Sequence, residues 1–432
     1  MFVMASASIR TIAAAILLLA AAIGRTSAQS SLAFPIAEPP LAAQLAGIDA
    51  QWNISLRSGG KVRVVRAEDL AYFGRYADAE AGPQILLRDR SIIRSDLLLL
   101  DDKQVVIGDA TGLGRGQWDE SALPRSALAA LVWQPPADPA QRDRLLYDLN
   151  ANPDDRLLLV GGQSLRGILV SAPRGGRFGE DAKPGSDVFE LALRGRAEPL
   201  KIAASKVIAV RFSASPAAPI STGAMSAWLG LKDGSLVRST QIAVKGDQVT
   251  LTLAAEGQLK TTLTGRKDAA KKFWDEVTYL EPVGTRVVWL SDMANLGYRH
   301  IPFAGVERLL GRDQNALGGS LRVGRAVFRK GLGMASASRV AMNADGYRRF
   351  EAEIAIDAAA GLSGSVVVKV LLEKAPGDWQ TAYESPPVRG GDEPLPVSVD
   401  LARDSRLALL VDFSDRGDVC DWVDWLHARL VK

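Results

Sequence analysis

The residues able to do chemistry gather near the C-terminus. Asp412, Asp415, Asp418, Asp421 and Asp424 recur at three-residue steps. On a helix that spacing would make one acidic face, whereas on strands joined by a loop it scatters the side chains. Glycoside hydrolysis needs two carboxyl groups about 5–10 Å apart across a sugar-sized cleft, and a strand–loop–strand reading supplies no such pair. Asp415 and Asp418 are candidates for a structural calcium, since hard cations collect carboxylate and carbonyl oxygens; a solvated acidic loop is the competing reading. Asp424, directly before Trp425, is placed like a residue that pins backbone. His300 and His427 stand far apart in sequence with no nucleophile placed beside either. Both read as structural rather than as general bases. Cys420, the single cysteine, sits between Val419 and Asp421-Trp422 and reads as a small core residue, so no internal disulfide is expected. Arg416-Gly417-Asp418, Gly331-Leu332-Gly333, Gly318-Gly319 and Gly161-Gly162 read as turns. None is followed by the Lys-Ser/Thr of a phosphate cradle or opens a helix. The chain is read as a non-enzyme without a cofactor.

Sugar binding asks for less: an exposed aromatic face for C–H groups and fixed polar side chains for hydroxyls. Trp379 and Tyr383 in GDWQTAY, with Arg389 and Asp392 in VRGGDEP, are the carbohydrate-binding candidates, although Trp379 also fits a half-buried packing role. Trp289, Phe350, Trp422 and Trp425 fall in strand patterns and read as core.

The elements that must position these residues are mostly strands. With 432 residues the chain exceeds one ordinary domain. Arg10, the apolar run from Thr11 to Ile23 and the small residues through Ala28 form the three-part pattern of a secretory signal. The apolar run is shorter than the roughly 20 residues that span a bilayer. Residues 1–28 are therefore expected to be a cleaved signal peptide, with a retained anchor as the alternative. Their loss removes two arginines, leaving 50 Lys+Arg against 49 Asp+Glu. A nearly neutral chain lacks the basic surface that nucleic acid requires. Export to the periplasm or outside the cell follows, with no membrane attachment after cleavage.

The turn serines Ser91, Ser164 and Ser235 recur about 72 residues apart. Around each, short alternating strands are bounded by Gly, Asp and Ser, as in ILLRDRSII (85–93), DRLLLVGGQSLRGILV (155–170) and AWLGLKDGSLVRSTQIAV (227–244). Asp233-Gly234 is the strongest hairpin signal. A partial fourth copy runs from Trp52 to Gly74. The expected organisation is an N-terminal β unit or units over 29–134, a second unit over 140–215, a third over 224–283 and a longer-stranded region over 284–432. The units read as small, strongly bent sheets or barrel-like hairpin repeats. Short helices are expected at Pro124–Leu131 and Pro139–Leu149, each with proline in its first turn. From 285 on, alternating strands at 286–290, 348–355, 365–372, 396–399, 406–412 and 423–431 suggest a jelly-roll β-sandwich.

In that last region Trp289-Leu290-Ser291-Asp292-Met293 is followed by Arg322-Val323-Gly324, Lys330-Gly331-Leu332-Gly333-Met334 and Ser336-Ala337-Ser338-Arg339. Then come Gly346-Tyr347-Arg348-Arg349-Phe350, Gly364-Ser365-Val366 and Val423-Asp424-Trp425. This order resembles the NPCBM family of carbohydrate-binding modules, related to those attached to family 98 glycoside hydrolases. The resemblance implies a galactose-binding-like β-sandwich in an exported bacterial protein, a glycan or polysaccharide as partner and no catalysis. The family carries a histidine after the Gly-Leu-Gly-(Val/Met) run, where this chain has Ala335. A copy without that histidine is open to a second reading: a structural protein that binds other proteins of the cell envelope.

Overall fold

The computed structural model describes residues 31–79, 82–110, 117–151, 155–173, 187–213, 225–262, 269–303, 305–401, 406–415 and 417–432. The signal expected over 1–28 and the Arg416 of the Arg-Gly-Asp triplet lie outside them. Two compact units divide the chain: residues 1–42, 68–71 and 285–432 in one, 43–67 and 72–284 in the other. No helix among the described residues is long and apolar enough to cross a membrane.

The repeats occupy the second unit, and each is closed by its own last strand. Gln84–Leu87 pairs with Leu128–Val132, Arg156–Leu159 with Val207–Arg211, and Ser226–Leu231 with Val277–Val283, all antiparallel. The closing strands also pair across repeats, Leu128–Val132 with Val207–Arg211. The repeats thus share one continuous open sheet path rather than closing into separate barrels. A 3-10 turn precedes two of these closing strands, Arg125–Ala127 and Ala204–Lys206. The helix expected at Pro124–Leu131 is therefore corrected to that single turn followed by strand. Residues 128–132 are hydrogen-bonded to strands on both sides, which overrides a local helical preference. The helix expected from Pro139 is present over Pro139–Ala151. Asp138 caps it, accepting the Gln141 amide at 2.8 Å. In the third repeat the helix Ala269–Glu276 runs directly into the closing strand Val277–Val283.

The other unit is a two-sheet β-sandwich. One sheet runs Gly311–Arg312, Gly331–Ala335, Trp422–Val431, Arg349–Ile356, Leu395–Asp400, with Val287–Trp289 also on Trp422–Val431. The other runs Asn295–His300, Ser338–Asn343, Arg406–Phe413, Ser365–Ala375, Asp378–Glu384, with Val388–Arg389 also on Ser365–Ala375. Their inward residues interleave in one core that includes Leu332, Val340, Phe350, Val368, Leu409 and Trp425. The six strands expected from alternation are all there, within two residues at their N-terminal ends. Phe350 and Trp425 are fully buried, Trp289 is buried, and Trp422 packs against the core.

Residues 31–42 lie in the same compact unit as this sandwich despite being far away in sequence. The Arg349 guanidinium donates to the Ile36 carbonyl at 2.8 Å, and Arg429 lies over the Phe34 ring at 5.7 Å. Arg286 pairs with Asp69.

Candidate functional site

The loops at one end of the sandwich are stitched together by side chains. Ser336, just past the strand Gly331–Ala335, donates its hydroxyl to Asp421 Oδ2 at 2.9 Å. Asp421 Oδ1 accepts the Ser365 amide at 2.7 Å. The Ser365 hydroxyl donates to Asp415 Oδ1 at 2.6 Å, and Arg389 Nη2 donates to Asp415 Oδ2 at 2.7 Å. The Arg389 amide donates to Asp392 Oδ2 at 2.8 Å. Three candidates from the sequence, Arg389, Asp392 and Asp415, therefore converge. The Ser365 hydroxyl and the Arg389 guanidinium hold the Asp415 carboxyl down at about 2. Burial pushes Asp421 up, against the pull of its two serine donors. Asp421 is buried and positions the loops; Asp415 and Asp392 are exposed and Arg389 is half-exposed, so these three face solvent.

A second loop, with described residues 301–303 and 305–310, reaches the same end. The Ile301 amide donates to the Ala337 carbonyl at 2.9 Å. His300 clamps the loop at its base: Nδ1 accepts the Arg308 amide and Nε2 donates to the Ser336 carbonyl, both at 2.9 Å. An Nδ1 that accepts and an Nε2 that donates make one neutral tautomer. The loop presents Phe303 at 90 % exposure, with Leu309 and Ile301 also open to solvent. Nothing in the sequence singled Phe303 out. Its neighbours Pro302 and Gly305 are the only local sign of a projecting loop.

The aromatic candidates go elsewhere. Tyr383 lies opposite Val370 and packs against the core, and burial pushes its hydroxyl up. Trp379 lies opposite Glu373, three residues along the same strand from Val370 and hence on the other face. A bulge at Ala382 makes this so: without it, residues four apart would share a face. Trp379 is also eight strand residues from the Ser365 end where Arg389 sits, about 26 Å at 3.3 Å per residue.

The five aspartates divide between surface and interior. Asp412, Asp415 and Asp418 lie outward, while Asp421 and Asp424 are buried. Asp418 is close enough to raise the Asp421 carboxyl, and both Asp415 oxygens already accept hydrogen bonds. Among the described residues no three His, Cys, Asp or Glu side chains gather as a metal site. Asp424 does pin backbone: its Oδ2 accepts the Arg322 amide at 3.3 Å, and that amide also donates to Asp357 Oδ2 at 3.0 Å. Burial, then the neighbouring Asp357, push the Asp424 carboxyl well above its ordinary range. His427 is buried at a bulge, with φ 49° and Nδ1 at 3.7 Å from Glu353.

Residues 286–431 match the family described as NPCBM/NEW2 domain. A curated relative from Renibacterium salmoninarum, named "Putative endo-alpha-N-acetylgalactosaminidase", is 26 % identical over 224 residues, 51 % of this chain. The chain spans only 14 % of that relative's length. Among solved structures, the second CBM51 of Clostridium perfringens ZmpB with INT domains, in complex with GlcNAc, is 18 % identical at TM-score 0.31 and covers 46 % of this chain and 43 % of its own. CBM51 from Clostridium perfringens GH95, in complex with methyl-galactose, is 19 % identical at TM-score 0.30 and covers 34 % and 99 %. Two sheets around one core, the ordered sequence blocks and the family match agree, and residues 286–431 of this chain are an NPCBM/NEW2 domain.

Proposed function

We propose that this chain is an exported, non-catalytic accessory protein whose C-terminal sandwich holds a glycan at the loop end formed by Phe303, Arg389, Asp392 and Asp415. The observation that carries the reading is an almost fully exposed aromatic on a clamped loop, at the end that also displays a fixed arginine–aspartate pair. A sugar ring offers C–H faces to the first and hydroxyls to the second. Asp392 and Asp415 both accept hydrogen bonds from Arg389, so a neutral pyranose fits beside this arginine better than an acidic one. Signal cleavage after Ala28 would deliver the chain to the periplasm or the exterior, where such ligands occur.

Retention of the full chain on an array of neutral and acidic glycans tests this. Phe303→Ala and Arg389→Ala are each expected to weaken retention by about tenfold, equal to about 1.4 kcal/mol, with the melting temperature unchanged. Asp415 ionises near 2, and retention should stay flat from about pH 6 to about pH 8, above the range in which carboxylates ordinarily titrate. A folded chain retained by no glycan would favour the second reading, a structural protein of the cell envelope that contacts other proteins. Two features support that reading: Ala335 stands where the family has a histidine, and Trp379 and Tyr383 lie away from the loop end.

A further inference from the structure

The repeats make one contact among themselves twice over. In the first repeat the Ser91 amide donates to Asp89 Oδ1 at 2.8 Å; in the third the Ser235 amide donates to Asp233 Oδ1 at 2.8 Å. These two hairpins meet edge to edge. The Arg94 amide donates to Ser235 Oγ and the Arg238 amide to Ser91 Oγ, each at 3.0 Å, with Ile92 opposite Leu236 in antiparallel register. Burial pushes both the Asp89 and the Asp233 carboxyl up, and the arginine of the opposite hairpin, Arg238 for Asp89 and Arg94 for Asp233, pulls partly against it, so the charges are exchanged as well. The seam has local twofold symmetry: one kind of hairpin edge recognises another of its kind.

The second repeat builds the same hairpin from Arg156–Leu159 and Ser164–Arg166, joined through Gly161-Gly162. Its outer strand ends the sheet, with no further strand beside it among the described residues. Ser164 is exposed, whereas Ser91 and Ser235 are fully buried. Val160, Ile168 and Val170 beside it are 57 %, 62 % and 43 % exposed. An open strand edge with apolar flanks is a template for pairing that proteins otherwise block or cover.

We propose that this edge pairs with the same edge of a second copy of the chain, using the geometry of the internal seam. Leu165 takes the place of Ile92 and Leu236 and falls on the twofold axis. In that register Ser164 of one copy faces Arg166 of the other. Val160, in the hairpin turn, and Val170, on the strand Ile168–Ser171, flank that pairing as exposed apolar side chains. No like charges stand opposite each other, which antiparallel pairing requires. Gly162 and Gly167 occupy the positions that carry Asp89/Asp233 and Arg94/Arg238 in the other repeats. The exchanged charges are therefore absent, and the self-association is weak, with a dissociation constant of order micromolar.

Sedimentation of the full chain from about 1 to about 200 μM, bracketing that range, tests the proposal. The expected result is a concentration-dependent dimer whose fraction drops at least tenfold in V160K/V170K, with the circular dichroism spectrum unchanged. In a Cys420→Ser background, Leu165→Cys should be trapped as a disulfide dimer on oxidation. Residues on an antiparallel axis lie about 4.5–5.5 Å apart at Cα, within the span a disulfide bridges. A wild-type chain that stays monomeric throughout overturns the proposal. So does a dimer that survives V160K/V170K and is not trapped by Leu165→Cys.

Discussion

Asp424 shows how one side chain serves the fold and burdens it. It is fully buried against Asp357, and the two carboxylates share the Arg322 amide. Two anions in contact in a dry interior are untenable, so one of them keeps a proton. The sign of the consequence follows. The unfolded aspartate ionises near 3.8 and the folded one far above. The protonated pair is at full strength below the unfolded value. It weakens as pH rises from there toward the folded value. Asp424→Asn cannot ionise, and its amide donates where the carboxyl proton did. The variant should melt progressively higher than the wild type as pH goes from about 4 to about 8, followed by circular dichroism. Parallel melting curves across that range would refute the shared proton. His300 is the other instructive residue. Its two ring nitrogens tie the base of the Phe303 loop to the Ser336 backbone, a positioning role that a lone histidine in a sequence does not disclose.

Among the elements, the strand Trp422–Val431 organises the sandwich. It pairs with Gly331–Ala335 on one side and Arg349–Ile356 on the other, and also takes Val287–Trp289. Trp425, at its middle, is fully buried and 6.2 Å ring to ring from Phe350. Trp425→Ala should destabilise the sandwich by about 3–5 kcal/mol, measured by denaturant unfolding of the full chain. A loss below about 1 kcal/mol, the scale of a well-tolerated core swap, would show that the sheets close around the gap. The strand Asp378–Glu384 teaches a different lesson. Trp379 and Tyr383 are four residues apart, and one bulged residue, Ala382, sends them to opposite faces. The helix expected over 124–131 failed for a related reason: pairing on both edges of Leu128–Val132 outweighs the preference of a short Ala-Leu run.

At the scale of the molecule, the sandwich is completed by residues from the other end of the chain. Phe34, Ile36 and Asp69 contact Arg429, Arg349 and Arg286. A fragment of residues 285–432 alone should therefore melt below the sandwich of the full chain in differential scanning calorimetry. Equal transitions would mean that these contacts stabilise nothing. The strands, the repeat and the sandwich region were legible from residue order alone, because alternation of apolar and polar residues is a local property with period two. The blocks from Trp289 to Trp425 likewise foretold the NPCBM/NEW2 domain. Tertiary structure alone decided what depends on register and on distance along the chain. Arg389 meets Asp415 across 26 residues. Phe303 projects because its loop is clamped to Ser336, and residues 31–42 share a compact unit with a sandwich that begins some 250 residues later. Periodicity says which face a residue takes. Which faces are then covered is set by packing between segments that no local pattern connects.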